Sequence, residues 1–480
     1  MVRTDASKSI DWGQVARNLC CKTHSLTRWA PTASLYRGDL LACGALVSRN
    51  AIGLAHHVTK RCNAIYTKLI LSRPMNSEAP FDLCIVGGGI VGAATAYRFQ
   101  LAYPDMRILL LEKENRPAAH QTGHNSGVIH SGIYYKPGTY KAKNCVEGKD
   151  QLIAFAKEHG IKHDICGKII VATEEKEFQH LDRIYQNGIR NGLSAVEYIG
   201  PDRIREIEPH VQGIKGLWVP YTGIIDFVGA TAKMLEIVEA IQPQSKVLFN
   251  QEVLDAIDVD GVKRIRTKEH SYTAKHVVFC GGLQADRLAR KDGLELDMSI
   301  VGFRGDYYEL AEHAKHKVRN LVYPVPNPEF PFLGVHFTRM TDGSVECGPN
   351  AVFTFKREGY GKTDFNLRDT TEALAFSGTW NLFFKHWRFG LDEYRRAFSK
   401  RLFLHTLQRM VPSLTMDDLQ PGRAGVRAMA LGHDGEAIDD FRIEHRGNAL
   451  HVLNAPSPAA TASLAIGEEI RKMAVERFGI

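Results

Sequence analysis

Hydrophobic positions in this chain first become regular at Phe81, where Phe81-Asp82-Leu83-Cys84-Ile85-Val86 runs directly into Gly87-Gly88-Gly89-Ile90-Val91-Gly92. A short apolar run closed by glycines predicts a buried strand and a tight turn. Ala93, Ala94, Ala96, Tyr97, Phe99 and Leu101 follow at a spacing that predicts a helix small enough on one side to pack closely on a sheet. Ile108-Leu109-Leu110-Leu111 predicts a second strand ending at Glu112, which completes a βαβ unit.

Helical spacing over Glu147–His159 and Glu174–Asn191 brackets a strand over Lys168–Thr173, and Asp226 is placed to cap a helix from Phe227 to Ala240. Strands return at Val247–Phe249 and His276–Phe279, the latter ending at Gly281-Gly282, with a turn at Asp260-Gly261. Between 301 and 360, short strand-like runs broken by Gly and Pro predict an antiparallel sheet. Helices resume near Thr370 to Val411. The tail carries a strand at Leu450–Leu453, a turn around Pro456 and Pro458, and a helix to Phe478. Nucleotide-type strands thus fall near 85, 110, 280 and 452. The fold class this predicts is α/β: a Rossmann-like cofactor domain assembled from separated segments (78–165, 221–300 and 408–480), with an inserted α+β substrate domain on an antiparallel sheet (166–220 and 301–407).

The net charge of +7 over 480 residues suggests a nucleic-acid or membrane partner until it is located. Residues 1–77 hold eleven Lys or Arg against three acids, a surplus of +8, which leaves −1 for the remainder. An Arg-rich, acid-poor leader with Ser and Thr reads as a mitochondrial targeting sequence in preference to a basic arm for nucleic acid. No run reaches the ~18 apolar residues of a membrane span, so membrane contact would be peripheral. The nine cysteines form no C-x-x-C pair, which fits a reduced compartment without structural zinc.

Gly87, Gly89 and Gly92 occupy the positions of G-x-G-x-x-G, after a strand and before a helix, with Glu112 twenty residues beyond Gly92. That context is what a dinucleotide requires: a tight turn, close backbone approach to a pyrophosphate, and a carboxylate for the ribose hydroxyls. Glu112 would repel a 2′-phosphate, which disfavours NADP.

The segment Asn125-Ser126-Gly127-Val128-Ile129-His130-Ser131-Gly132-Ile133-Tyr134-Tyr135 separates FAD from NAD. With Phe303-Arg304-Gly305-Asp306-Tyr307-Tyr308, Leu333-Gly334-Val335-His336, Gly348-Pro349-Asn350-Ala351 and Gly425-Val426-Arg427-Ala428, it resembles the D-amino-acid oxidase/glycine oxidase superfamily of flavoproteins, from Asp82 to about Ile470. The resemblance implies FAD, expected to be held non-covalently. Asn125 and Ser126 would meet its phosphates and Gly127 would pass beside the flavin ring. Val253 and Gly281 join the cofactor-contacting positions, and the turn at Ser457, Ala460 and Thr461 would aim N–H groups at the flavin pyrimidine. The branch it resembles implies oxidation of a five-carbon 2-hydroxy diacid by hydride transfer from C2 to flavin N5, with electrons passed to an acceptor that the sequence does not select among a quinone, a flavoprotein carrier and oxygen. An amine or glycerol-3-phosphate enzyme of the same superfamily, or a flavin-binding module without catalysis, is the alternative.

Such a reaction needs a cation for the carboxylate and a base for the hydroxyl proton. Arg427 stands where glycine oxidase relatives hold a carboxylate, although arginines more commonly form structural ion pairs, and Arg304 is a second candidate. His130 and His336 are both candidates for the base. Tyr135 and Lys141, with Tyr134 and Lys143 nearby, could serve a second carboxylate. No histidine and carboxylate cluster suggests a metal.

Overall fold

The strand Phe81–Val86 is apolar on both faces, and the structure, a computed structural model describing residues 79–326 and 334–480, shows why. Leu83 and Ile85 point into one core and Cys84 and Val86 into another. In the next strand Ile108 and Leu110 take the first side, and Leu109 and Leu111 the second. A strand covered on both faces is apolar wherever it is buried, and Asp82, the polar exception, sits at its partly exposed start, where it pairs with Lys275. Phe81–Val86 pairs in parallel with Ile108–Leu111 on one side and with Ser271–Phe279 on the other, and Lys246–Leu248 and Ala449–Asn454 extend this parallel core outwards. An antiparallel meander through Val253–Val259 and Val262–Thr267 closes one edge. The four strands expected near 85, 110, 280 and 452 therefore do lie in one sheet.

Helices Ile90–Ala102, Phe227–Ile241 and Ser463–Phe478 supply the first core, joined by Tyr140–Glu158. Asp226 caps the second of these, its carboxylate accepting from Gly229 N at 2.9 Å, as its position before an apolar run implied. Small residues make the contact between the first and last helices tight. A Cβ on Gly467 would sit 2.7 Å from the Ala94 backbone.

The second sheet has nine strands and is mostly antiparallel. Its spine is not a set of short runs. Met298–Leu310 is one 13-residue strand paired with the 14-residue Leu419–Gly432, from Met298 opposite Gly432 to Leu310 opposite Leu419, with one irregularity between Asp306 and Tyr308. Leu419–Gly432 lies in a segment expected to belong wholly to the cofactor portion. Pro421 and three glycines disguise it, since both residue types ordinarily weaken a strand signal. The described residues fall in one compact unit. The helical stretch expected over Thr370–Val411 is three helices, Leu367–Ala375, Ser377–Phe398 and Lys400–Gln408. The leader expected over 1–77, and Leu333, fall outside the described residues.

Candidate active site

Between the two sheets runs a cleft of about 1490 Å³, lined at one end by Gly87 and Glu112 and at the other by His336 and Arg427. That exceeds the ~300–1,000 Å³ of a single small-ligand pocket and suits a dinucleotide together with a small substrate.

At the nucleotide end each glycine of the motif has a distinct constraint. Gly87 has φ +114° and an added Cβ would lie 2.4 Å from Cys280 O, so the turn admits no side chain. On Gly92 it would meet Gly87 O at 2.0 Å, which fixes how near the helix approaches the strand. Gly89 is different: its Cβ would touch only Thr122 Oγ1 at 3.4 Å, leaving open space at an N-cap that has no side-chain partner of its own. Open space before a helix N-terminus is what a pyrophosphate occupies. Glu112 is buried, its Oε2 accepting from Gly88 N at 2.6 Å and its Oε1 from Glu114 N at 2.9 Å. Each oxygen keeps a second lone pair for a ribose hydroxyl. Glu114, His120 and Glu358 converge nearby, but Lys113 already bridges the two carboxylates at 3.1 and 2.5 Å.

Val253, Gly281, Asn125, Ser126, Ser457, Ala460 and Thr461 all line the cleft. Thr461 ties the last turn before the C-terminal helix to the 128–130 segment there: its hydroxyl accepts from His130 N at 3.1 Å and donates to Val128 O at 3.2 Å. Gly127 does not reach the cleft surface. It packs under Met340, and its N–H donates to Asn125 Oδ1 at 2.8 Å, so its contribution is to shape the turn that presents Ser126.

At the far end, the second sheet turns Lys168, Tyr323, His336 and Thr338 to one face, while Ile169, Val322, Phe337 and Cys347 enter the core on the other. His336 is buried with its ring stacked on Tyr323 at 3.9 Å between centroids. Its Nδ1 lies 2.9 Å from Gly334 O, which makes Nδ1 the protonated nitrogen and leaves Nε2 with its lone pair free. Among the described residues, that buried Nε2 has no hydrogen-bond partner, and neither has the buried hydroxyl of Tyr134. Burial, opposed by the Gly334 bond and reinforced by the positive charges of Arg427 and Lys168, lowers the His336 pKa to about 3. His130 is lowered to about 3 by burial and by Lys168 and His336. Both imidazoles are neutral acceptors at physiological pH.

Arg427 borders the cleft, and burial lowers its pKa despite the nearby Tyr307, Glu393 and Tyr323. Arg304 does not line the cleft. Phe303 stands opposite Arg427 in the strand pair, so its neighbour Arg304 points to the other face, where it donates to Asp306 Oδ1 at 2.9 Å and Gly361 O at 2.6 Å. It is the structural ion pair that arginines commonly form. Lys141 lines the cleft but is paired with Asp439 at 2.5 Å, whereas Tyr135 lines it with a phenol whose pKa is raised well above the ordinary value by burial. Tyr307, Tyr323 and Lys168 were not among the sequence candidates. Tyr307 stands within the stretch 303–308 and Tyr323 in none of the stretches that carry the resemblance, and nothing in sequence shows that either faces a cleft.

The FAD-dependent oxidoreductase family model matches residues 82–473, and the chain belongs to that family; FAD is its cofactor. Within the family it is 43% identical over 399 residues to an L-2-hydroxyglutarate dehydrogenase of Indibacter alkaliphilus, covering 83% of this chain and 100% of the relative. It is also 42% identical over 452 residues to a mitochondrial L-2-hydroxyglutarate dehydrogenase of Nematostella vectensis, covering 90% and 98%. Among solved structures, FAD-bound L-alpha-glycerophosphate oxidase from Mycoplasma pneumoniae superposes with a TM-score of 0.67 at 24% identity, over 84% of this chain and 96% of that one, which shows the shared fold.

Proposed function

We propose that the chain oxidises L-2-hydroxyglutarate to 2-oxoglutarate. The observation that carries this reading is the bare Nε2 of His336 beside the cation of Arg427 in a chain whose relatives bear that substrate in their names. Arg427 holds the C1 carboxylate through two parallel N–H donors and so fixes C2. His336 Nε2 accepts the hydroxyl proton. The Gly334 bond holds the tautomer and the Tyr323 stack holds the ring plane, so neither is reorganised as the proton moves. A substrate anion offsets the two cations that depress His336, and its basicity rises when substrate is bound. FAD, held at Gly89, Glu112 and the 457–461 turn, supplies the two-electron acceptor.

Anaerobic titration with each enantiomer of 2-hydroxyglutarate tests this, with lactate and malate as controls. Bleaching of the flavin by the L enantiomer is expected. Bleaching by sarcosine or glycerol 3-phosphate instead would replace the substrate assignment.

The electrons pass to a quinone or flavoprotein carrier. No described helix is long and apolar enough to cross a membrane, but Ser377–Phe398, which is kinked at His386, exposes Trp380 and Phe384 before the kink and Trp387 and Leu391 after it, followed by Phe398 and Leu402. Arg388, Arg395 and Arg401 are exposed on the same two helices. Interfacial tryptophans beside arginines fit the surface of an anionic bilayer, on which the protein would lie peripherally. Several relatives are named as mitochondrial, and the acid-poor leader supports the same address; a reporter fused to residues 1–77 should be imported by mitochondria.

A further inference from the structure

Lys168 opens the strand Lys168–Ala172 and is 1% exposed, among the largest fully buried side chains of the protein. Among the described residues no carboxylate pairs with it. Its Nζ lies instead over two tyrosine rings, 4.4 Å from the centroid of Tyr134 and 4.6 Å from that of Tyr323. Both rings line the cleft. A packing role alone would be served by Leu or Met without the cost of a buried ammonium, and two ring faces recover only part of that cost.

Among the described residues, the surroundings of this lysine lack an anion on every side. The segment after Val128–Ile129 contributes the neutral imidazole of His130 and the phenol of Tyr134, and Leu321–Pro324 contributes Tyr323. His336–Arg339 contributes the neutral His336, and Tyr140–Glu158 contributes Cys145, whose thiol is pushed up to about 12 by burial. Opposite Lys168 across the strand pair stands Val219. The Tyr134 hydroxyl and His336 Nε2 in the same wall lack hydrogen-bond partners. A cation with no anion among the described residues, packed directly behind two tyrosine rings that line a cleft and near polar atoms without partners, describes a place for an anionic ligand.

We propose that Lys168 is the counter-charge for the distal carboxylate of the substrate and sets the preference for a diacid over a monoacid. This rests on the 2-hydroxy diacid reading above. Arg427 and Lys168 both act on His336, and Tyr323 lies between His336 and Lys168. A substrate with its C1 carboxylate on Arg427 and its hydroxyl on His336 Nε2 directs its far end towards Tyr323, Tyr134 and Lys168. The lysine is a positioning residue; it takes no proton from the reacting carbon or hydroxyl.

The charge of this lysine is conditional. Burial lowers its pKa to about 7, so the free enzyme loses this charge far more readily than an exposed lysine would. A carboxylate beside it favours the ammonium and raises the pKa again. Diacid binding above pH 7 therefore takes up a proton, and diacid affinity falls as pH rises from about 7 by up to about tenfold per pH unit.

The test uses the FAD-loaded enzyme and two ligands, 2-oxoglutarate and 2-oxopentanoate, which has the same five carbons without the distal carboxylate. Calorimetry in two buffers of different ionisation enthalpy, from pH 6 to 9, gives affinity and protons taken up. Proton uptake approaching one with 2-oxoglutarate and near zero with 2-oxopentanoate is expected. Lys168→Met should weaken 2-oxoglutarate on the order of 30-fold or more, leave 2-oxopentanoate unchanged and abolish the pH dependence. Lys168→Arg should keep the diacid preference while losing the pH dependence. Equal proton uptake with the two ligands, or a diacid preference that survives in Lys168→Met, would overturn the proposal while leaving the substrate reading intact. The wild-type comparison decides even where a variant fails to fold. Failure of the wild-type enzyme to bind 2-oxoglutarate at all would instead sink the substrate reading, and this proposal with it.

Discussion

Replacing Arg427 by Met removes one cation from a wall that burial already makes unfavourable for charge. If the two parallel donors hold the C1 carboxylate, each charge-assisted bond is worth about 1.5–3 kcal/mol, and their loss lowers kcat/KM by on the order of 100- to 10,000-fold. Arg427→Lys keeps the charge but loses the fork, so about one bond is lost and the decrease is about 10- to 100-fold. A second consequence separates this role from a structural one. Arg427 is one of the positive charges that depress His336, so its removal raises the His336 pKa from about 3. The base must be neutral to accept a proton, and the acid limb of the rate profile should therefore move to higher pH in Arg427→Met. Stopped-flow flavin reduction from pH 3.5 to 9 measures both effects, with melting temperature and flavin content followed on the same preparations. Those two should hold, because the folded chain disfavours the guanidinium charge. Wild-type reduction rates in a folded, flavin-loaded Arg427→Met enzyme would remove Arg427 from the site; a loss of flavin or of melting temperature equal to the loss of rate would make it a structural residue.

His336→Gln should lower the flavin reduction rate by about 100- to 10,000-fold, the range for removal of a general base, with FAD affinity unchanged. Its effect on stability has a defined sign: the folded pKa of about 3 lies below the ordinary histidine value near 6.5, so stability present above pH 6.5 is lost as pH falls towards 3. The variant should therefore lose less melting temperature than wild type between pH 6.5 and 4, and an equal loss would contradict the burial of a neutral imidazole. Glu112→Ala removes the acceptor of the Gly88 and Glu114 N–H groups, and FAD should bind about 1–3 kcal/mol more weakly, read by flavin fluorescence on dilution, with the reduction rate of the loaded fraction nearly unchanged. Phe384→Glu with Trp387→Glu should abolish sedimentation with vesicles containing anionic lipid without altering flavin reduction; full vesicle binding by that variant would assign membrane contact elsewhere.

The cofactor half was legible because its physics is local. A glycine that must reach φ +114° against Cys280 O, and another whose Cβ would meet a backbone oxygen at 2.0 Å, leave their mark as glycines at fixed spacing. Strands buried on both faces show as unbroken apolar runs, and Asp226 precedes the helix that it caps. The long pair Met298–Leu310 and Leu419–Gly432 was less legible, because its partners lie more than a hundred residues apart and its second strand contains a proline and glycines that read as turn. Pairing supplied by a distant strand overrides a weak local preference.

The charged residues show a different limit. Arg304, Lys141, Arg427 and Lys168 are alike in a sequence, each a cation near an apolar stretch, and what distinguishes them is the group that folding places beside each. Arg304 meets Asp306 two residues away and on the far face of the sheet; Lys141 meets Asp439, about three hundred residues away. Both charges are answered within the protein. Lys168 meets two tyrosine rings and two neutral imidazoles, so its charge is answered by no acid among the described residues. A strand that opens Lys-Ile-Ile-Val-Ala reads as a buried segment with a solvated lysine at its end, because an end position normally lets the ammonium reach water. Here the 128–135 segment covers that end, and the cover brings Tyr134 with it. Specificity for a second carboxylate thus depends on a contact between two segments that each look ordinary alone, and only their packing converts a strand-end lysine into a charge waiting for a partner.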